Sequence, residues 1–151
     1  MMKQIAQKIK EWKPAPVVHA HCDGPCGVYD PASARIAAEA VLAMTKKIIA
    51  LKDSKDDASQ HTLSRYIAIK EEQAHIAKTE LLILWSDYFK PPHLEAYPDL
   101  HDTFWQAAKL CSACKVSVSL ESAEKLMAAI EAIHAIFWAT KERDVAYYTA
   151  G

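Results

Sequence analysis

Between Val28 and Ala150 the chain contains no glycine; its three glycines are Gly24, Gly27 and Gly151. A fold of many short strands needs frequent tight turns, and glycine supplies the positive φ that several turn types require. This chain has too little of that punctuation for a β architecture. It has instead four long stretches with apolar residues at spacings of three and four, the period of amphipathic helices.

The first helix is expected from Ala32 to about Leu51. Asp30 suits its N-cap and Pro31 its first position, and Ile36, Ala40, Met44, Ile48 and Leu51 form its apolar stripe. Lys52 to Gln60 reads as a polar loop. A second helix is expected from about Thr62 to Phe89, with Leu63, Ile67, Ala74, Ala77, Leu81, Leu84 and Tyr88 inward and Lys70 as the one interruption. Pro91-Pro92 ends it. After a loop through Tyr97-Pro98, Asp99 can cap a third helix from about Leu100 to Ala113, with Phe104, Ala107 or Ala108, and Cys111 inward. Ser119 opens a fourth, about Leu120 to Lys141, with Ala123, Leu126, Met127, Ile130, Ile133, Phe137 and Trp138 on one face. Four such helices with mostly short links predict an all-α, antiparallel up-and-down four-helix bundle.

The 151 residues carry a formal net charge of −1, which implies no general attraction to nucleic acid or to an anionic membrane. No apolar run approaches the roughly 18 residues of a membrane span. Residues 1–20 lack the apolar centre of a secretory signal, and Ile5, Ile9 and Trp12 give them the spacing of a short amphipathic leader. The expected location is therefore cytoplasmic. The expected organisation is a leader over 1–20, a metal-binding hook over 21–31 and a helical domain over 32–151.

The hook is His21-Cys22-Asp23-Gly24-Pro25-Cys26-Gly27-Val28-Tyr29-Asp30-Pro31. Imidazole and two thiols in so tight a turn point to a transition metal. Were the chain cut between Ala20 and His21, the new amino group, the Cys22 peptide nitrogen and the thiolates of Cys22 and Cys26 could form one plane. That N₂S₂ set suits Ni(II) or else Cu(II), with the His21 imidazole as axial ligand. A second pair, Cys111 and Cys114, leaves alternatives open. Joined to Cys22 and Cys26 it could form a Cys₄ zinc site in a non-enzymatic, zinc-stabilised helical module. It could also pack as small hydrophobes in the core. A thiol redox role for Cys111-Ser112-Ala113-Cys114 lacks the alternating β and α pattern that usually surrounds one.

The hook resembles that of the nickel-dependent superoxide dismutases. Leu84-Trp85-Ser86-Asp87-Tyr88-Phe89-Lys90-Pro91-Pro92-His93, followed by Tyr97-Pro98-Asp99-Leu100-His101, is similar to a second block of that family. Ile69-Lys70-Glu71 and Ile136-Phe137-Trp138 add shorter matches. The resemblance implies a four-helix-bundle subunit, assembly as a homohexamer, and removal of the leader by a dedicated maturation protease. It implies one nickel ion per mature subunit, cycling between Ni(II) and Ni(III) as superoxide becomes O₂ and H₂O₂. By the same resemblance His21, Cys22 and Cys26 are the nickel ligands. Tyr29 and Tyr88 limit anion approach and order water, and Asp23 and Asp87 hold that shell. Lys90, by its position, adds local positive potential for the anion. In the better-known branch of the family the axial imidazole is oriented by a glutamate on the first helix, itself held by an arginine on the second. Those positions here are Ala37 and Gln73.

Overall fold

The computed structural model describes residues 27–151. The leader and the hook residues His21, Cys22, Asp23 and Cys26 lie outside the described residues. Five helices follow: α1 (Ala32–Leu51), α2 (Asp57–Ile83), α3 (Pro91–Ala96), α4 (Leu100–Val116) and α5 (Leu120–Thr140). A π-helical turn, Leu84–Tyr88, extends α2. The four long helices form a closed ring in which α1 packs on α2 and α5, and α4 packs on α2 and α5. Contacts between Ser33 and Glu80 and between Trp85 and His101 join the start of one helix to the end of its neighbour. This is the antiparallel bundle that the periodicity predicts.

The differences from expectation are local. The buried face of α1 is Ala34, Ala37, Ala38, Val41, Thr45 and Ile48, whereas Ile36 is 58% exposed. The stripe through Ile36 and Ala40 is therefore rotated from the true one. Alanines let neighbouring backbones approach, and the true seam is built on them rather than on the bulkiest residues. Helix α2 starts well before Thr62, because Asp56 supplies an N-cap and accepts the Ser59 N–H at 2.9 Å. Pro91 and Pro92 do not lead into a loop. They occupy the first turn of α3, where a missing N–H goes unneeded. Asp99 caps with its carbonyl, which accepts the Thr103 N–H and hydroxyl, and its side chain makes no capping bond. Ser119 does cap α5, accepting the Ser122 N–H at 3.1 Å.

Lys70, the interruption in the α2 stripe, is 2% exposed. Its ammonium donates to the carbonyls of Cys114, Lys115 (3.2 Å) and Ser117 (2.9 Å). A helix leaves its last carbonyls unpaired and its C-terminal end partly negative, so this cation satisfies both needs of α4. After α5, Glu142 adopts a left-handed φ of 55° and turns the chain back. His134 donates from Nε2 to the Val145 carbonyl at 2.7 Å, and Arg35 lies 4.3 Å from the Tyr148 ring centroid. Glu39, paired with Arg35, accepts the backbone N–H groups of Ala150 and Gly151.

Candidate metal centre

The last described residues before α1, the π-turn after α2 and the end of α5 meet at one end of the bundle. Asp30 secures the first of these by accepting the Ala32 N–H at 2.8 Å. The second is shaped by Pro91, because a residue before proline avoids the helical region. Phe89 and Lys90 are accordingly extended, at φ −70°, ψ 138° and φ −128°, ψ 165°. The helix widens and stops, leaving Tyr88 beside Tyr29.

The structure brings these two tyrosines together, with ring centroids 5.7 Å apart and planes tilted by 53°. Both are half-buried. Tyr88 packs on Phe137 at 4.6 Å and on Phe89 at 5.0 Å, and His93 stacks on it at 5.5 Å. Its hydroxyl lies 2.7 Å from Thr140 Oγ1, and Thr140 itself donates to the Phe137 carbonyl at 2.6 Å. With the threonine proton committed, Tyr88 must be the donor to Thr140. Its phenolic oxygen remains an acceptor. Tyr88 is thus anchored against the core while its ring stays half-buried beside Tyr29.

Lys90 is exposed and its ammonium donates to the Asp87 carbonyl at 2.8 Å. Asp87 accepts the Ser86 hydroxyl at 2.7 Å. Asp23 lies outside the described residues. Three groups that sequence reasoning missed stand at the same end. Lys141 holds its ammonium 5.1 Å from the Tyr88 ring centroid and 5.2 Å from that of Phe137. On α1, Ser33 donates to Glu80 Oε2 on α2 at 2.8 Å. Together with Tyr29 and Asp30, these two line a cleft of about 150 Å³. A lysine at a helix end and a serine on an exposed helix face carry no sequence signal of their own. Only the fold brings them to the tyrosines.

Among the described residues, no three His, Cys, Asp or Glu side chains come together as a metal site. Cys111 and Cys114 are free thiols, 1% and 2% exposed, in the bundle core. Burial, with Cys114 adding to it, pushes the Cys111 thiol up to about 12, and burial also raises Cys114. Both belong to the buried core cluster, where a thiol packs as a small hydrophobe. Cys22, Cys26 and His21, outside the described residues, are a sulfur and imidazole donor set whose chemistry fits a nickel ion. Ala37 is buried and offers only a methyl group, and Gln73 is half-buried.

Residues 16–141 match the family described as nickel-containing superoxide dismutase. A nickel superoxide dismutase of Streptomyces seoulensis is 49% identical over 125 residues, covering 83% of this chain and 91% of that protein. One of Streptomyces coelicolor is 46% identical over 129 residues, covering 85% and 94%. A native nickel superoxide dismutase structure superposes with a TM-score of 0.74 at 46% identity, over 82% of this chain and all of that one.

Proposed function

The chain belongs to the nickel-containing superoxide dismutase family, and from this we propose the residues and processing by which it acts. It is a superoxide dismutase with a nickel cofactor. Two superoxide anions and two protons become O₂ and H₂O₂. Nickel, when bound, would supply the one-electron Ni(II)/Ni(III) couple that this disproportionation needs.

The ligands are His21, Cys22 and Cys26. This reading is carried by one observation: the match to the nickel-containing superoxide dismutase family runs over residues 16–141, a span that includes all three. Cleavage before His21 by a maturation protease would free an amino group as a further nickel donor, and the domain limits at 20 and 31 follow. Tyr29 and Tyr88 narrow the approach to this donor set. Tyr88 is oriented by its bond to Thr140 and offers its oxygen to water that supplies protons. Asp23 and Asp87 brace this shell, and Lys90 draws the anion in. The mature subunits assemble as a homohexamer in the cytoplasm. No described helix is long and apolar enough to cross a membrane.

Intact mass and metal analysis of protein co-expressed with its protease and nickel tests the reading. The expected product begins at His21, holds about one nickel per chain and consumes superoxide. Unprocessed chain that binds nickel and turns over equally well would refute the cleavage requirement.

A further inference from the structure

A phenol needs two separate restraints. A hydrogen bond at its hydroxyl fixes where the oxygen sits, but that bond lies close to the axis about which the ring turns. Rotation about this axis is broad and roughly two-fold in tyrosine, so the ring plane is left free. Conjugation keeps the phenolic O–H in that plane, and the plane therefore sets where the accepting side of the oxygen faces. At Tyr88 the Thr140 hydroxyl supplies the first restraint. The second must come from the rings packed on it.

Of those rings among the described residues, His93 lies nearest to parallel. Its plane is 15° from that of Tyr88, with centroids 5.5 Å apart, whereas Phe137, Tyr29 and Phe89 stand at 48°, 53° and 84°. Phe89, itself buried, meets the His93 ring edge-on at 5.6 Å. The histidine also has a stiff mount. Pro91 and Pro92 fix φ over the first turn of α3. The His93 N–H donates to the Lys90 carbonyl at 2.9 Å, and His93 Nδ1 accepts the Lys90 N–H at 3.1 Å. A cap of this kind needs only an acceptor, which glutamate or glutamine at the third helical position ordinarily supplies. Histidine supplies it with a flat ring to spare, and that ring is the part that meets Tyr88.

We propose that His93, clamped to Lys90 and stacked on Tyr88, sets the plane of the Tyr88 ring and so aims its phenolic oxygen at the water that supplies protons to reduced superoxide. This rests on the reading of Tyr88 as the residue that orders that water. His93 is a positioning residue and acts through the tyrosine.

The test compares processed, nickel-loaded wild type with His93→Gln, His93→Phe and Tyr88→Phe, with His61→Gln, an exposed position on α2, as control. Glutamine keeps the acceptor for the Lys90 N–H and removes the ring. Phenylalanine keeps a flat ring and removes the acceptor. One readout is kcat for superoxide. The other is the flip rate of the Tyr88 ring in the reduced protein, from NMR line shapes with ¹³C-labelled tyrosine, the Tyr88 signals being those absent from Tyr88→Phe. His93→Gln is expected to speed flipping by about tenfold and to lower kcat by about threefold to tenfold, the worth of one aromatic pair. Its nickel content should be unchanged. His93→Phe is expected to restore slow flipping and most of the turnover, which a role confined to capping α3 would not allow. His61→Gln is expected to move neither readout. Flipping and kcat within about twofold of wild type in His93→Gln, beside a Tyr88→Phe protein that loses turnover, overturn the proposal and leave Tyr88 its role. Equal losses in His93→Gln and His93→Phe overturn it as well, because the ring plane would then not be what matters. Wild-type turnover in Tyr88→Phe removes the reading of Tyr88, and this proposal with it.

Discussion

The two ends of the bundle place polar groups among apolar ones for opposite ends. At the far end Lys70 is sealed, its ammonium spread over three carbonyls at the close of α4. At the near end Tyr88 with Thr140, and Ser33 with Glu80, are also hydrogen-bonded, but they border a cleft and the open face of the tyrosine pair. A sealed group can act only on stability, since nothing outside the protein reaches it. A half-open one can order water, hold a neighbouring ligand or meet an anion. Substitutions at the two ends should therefore separate folding from turnover.

The sharpest break comes from the two cysteine pairs. Cys26→Ser is expected to reduce nickel content and superoxide consumption to background while thermal unfolding of the helical domain changes little. Cys114→Ser is expected to keep its nickel. A Cys114→Ser protein that folds but loses its metal would instead revive the zinc-module reading. Next in size is Lys70→Met, which fills similar space and leaves the α4 carbonyls without their cation. A buried acceptor left unpaired costs about 1–3 kcal/mol. A loss of about 3 kcal/mol, or roughly 6–12 °C in melting temperature, is expected. Nickel content and turnover per folded molecule should hold, and calorimetry beside a metal assay checks both.

Lys70 also shows what was legible in the sequence and what was not. Helical period, proline and the absence of glycine were enough for four helices and their antiparallel order, because these are local properties. The α1 stripe was misread because hydropathy favours Ile36 over Ala34 and Ala38, whereas close helix contact favours the small residues. Lys70 looked like an interruption because its partners lie 44 to 47 residues away. At the candidate site, the resemblance of whole motifs singles out Tyr29 and Tyr88, which the fold brings together, and position singles out Lys90. Ser33, Glu80 and Lys141 were not, because each gains its meaning only from a residue on another helix.

The sealed end makes a further prediction in alkali. The Cys111 thiol rises from an ordinary value of 9.0 to about 12. The folded protein therefore holds a proton that the unfolded chain releases between these values. Stability is full below pH 9 and falls as pH climbs toward 12. Cys114 shifts in the same direction. Lys70, whose burial lowers its value below 10.5, opposes them, since the unfolded chain then binds the extra proton. Cys111→Ala should flatten the alkaline limb of urea unfolding measured from pH 8 to 11. The difference in slope should amount to roughly 2 kcal/mol over that range. An unchanged slope would mean that Cys111 does not govern the alkaline loss.

The smallest effect belongs to the open end and concerns its two lysines. Lys90 is exposed but tethered to the Asp87 carbonyl, whereas Lys141 sits over the Tyr88 ring. Both put positive charge near the approach to the tyrosine pair of a protein whose formal net charge is −1. Salt screens such charges over about 10 Å at 0.1 M, so their contribution belongs to the encounter with the anion. Lys141→Gln is expected to lower kcat/KM for superoxide by about twofold to threefold at low ionic strength. The loss should shrink toward none near 0.5 M salt, with nickel content and melting temperature unchanged. Lys90→Gln should do the same more weakly, because its ammonium is held against the protein's own carbonyl. A loss that persists at high salt would show that Lys141 acts by fixing the Tyr88 ring. The cation would then belong with the packed aromatic cluster, as Lys70 belongs with its carbonyls, and the contrast between the two ends would narrow to Glu80 and Ser33.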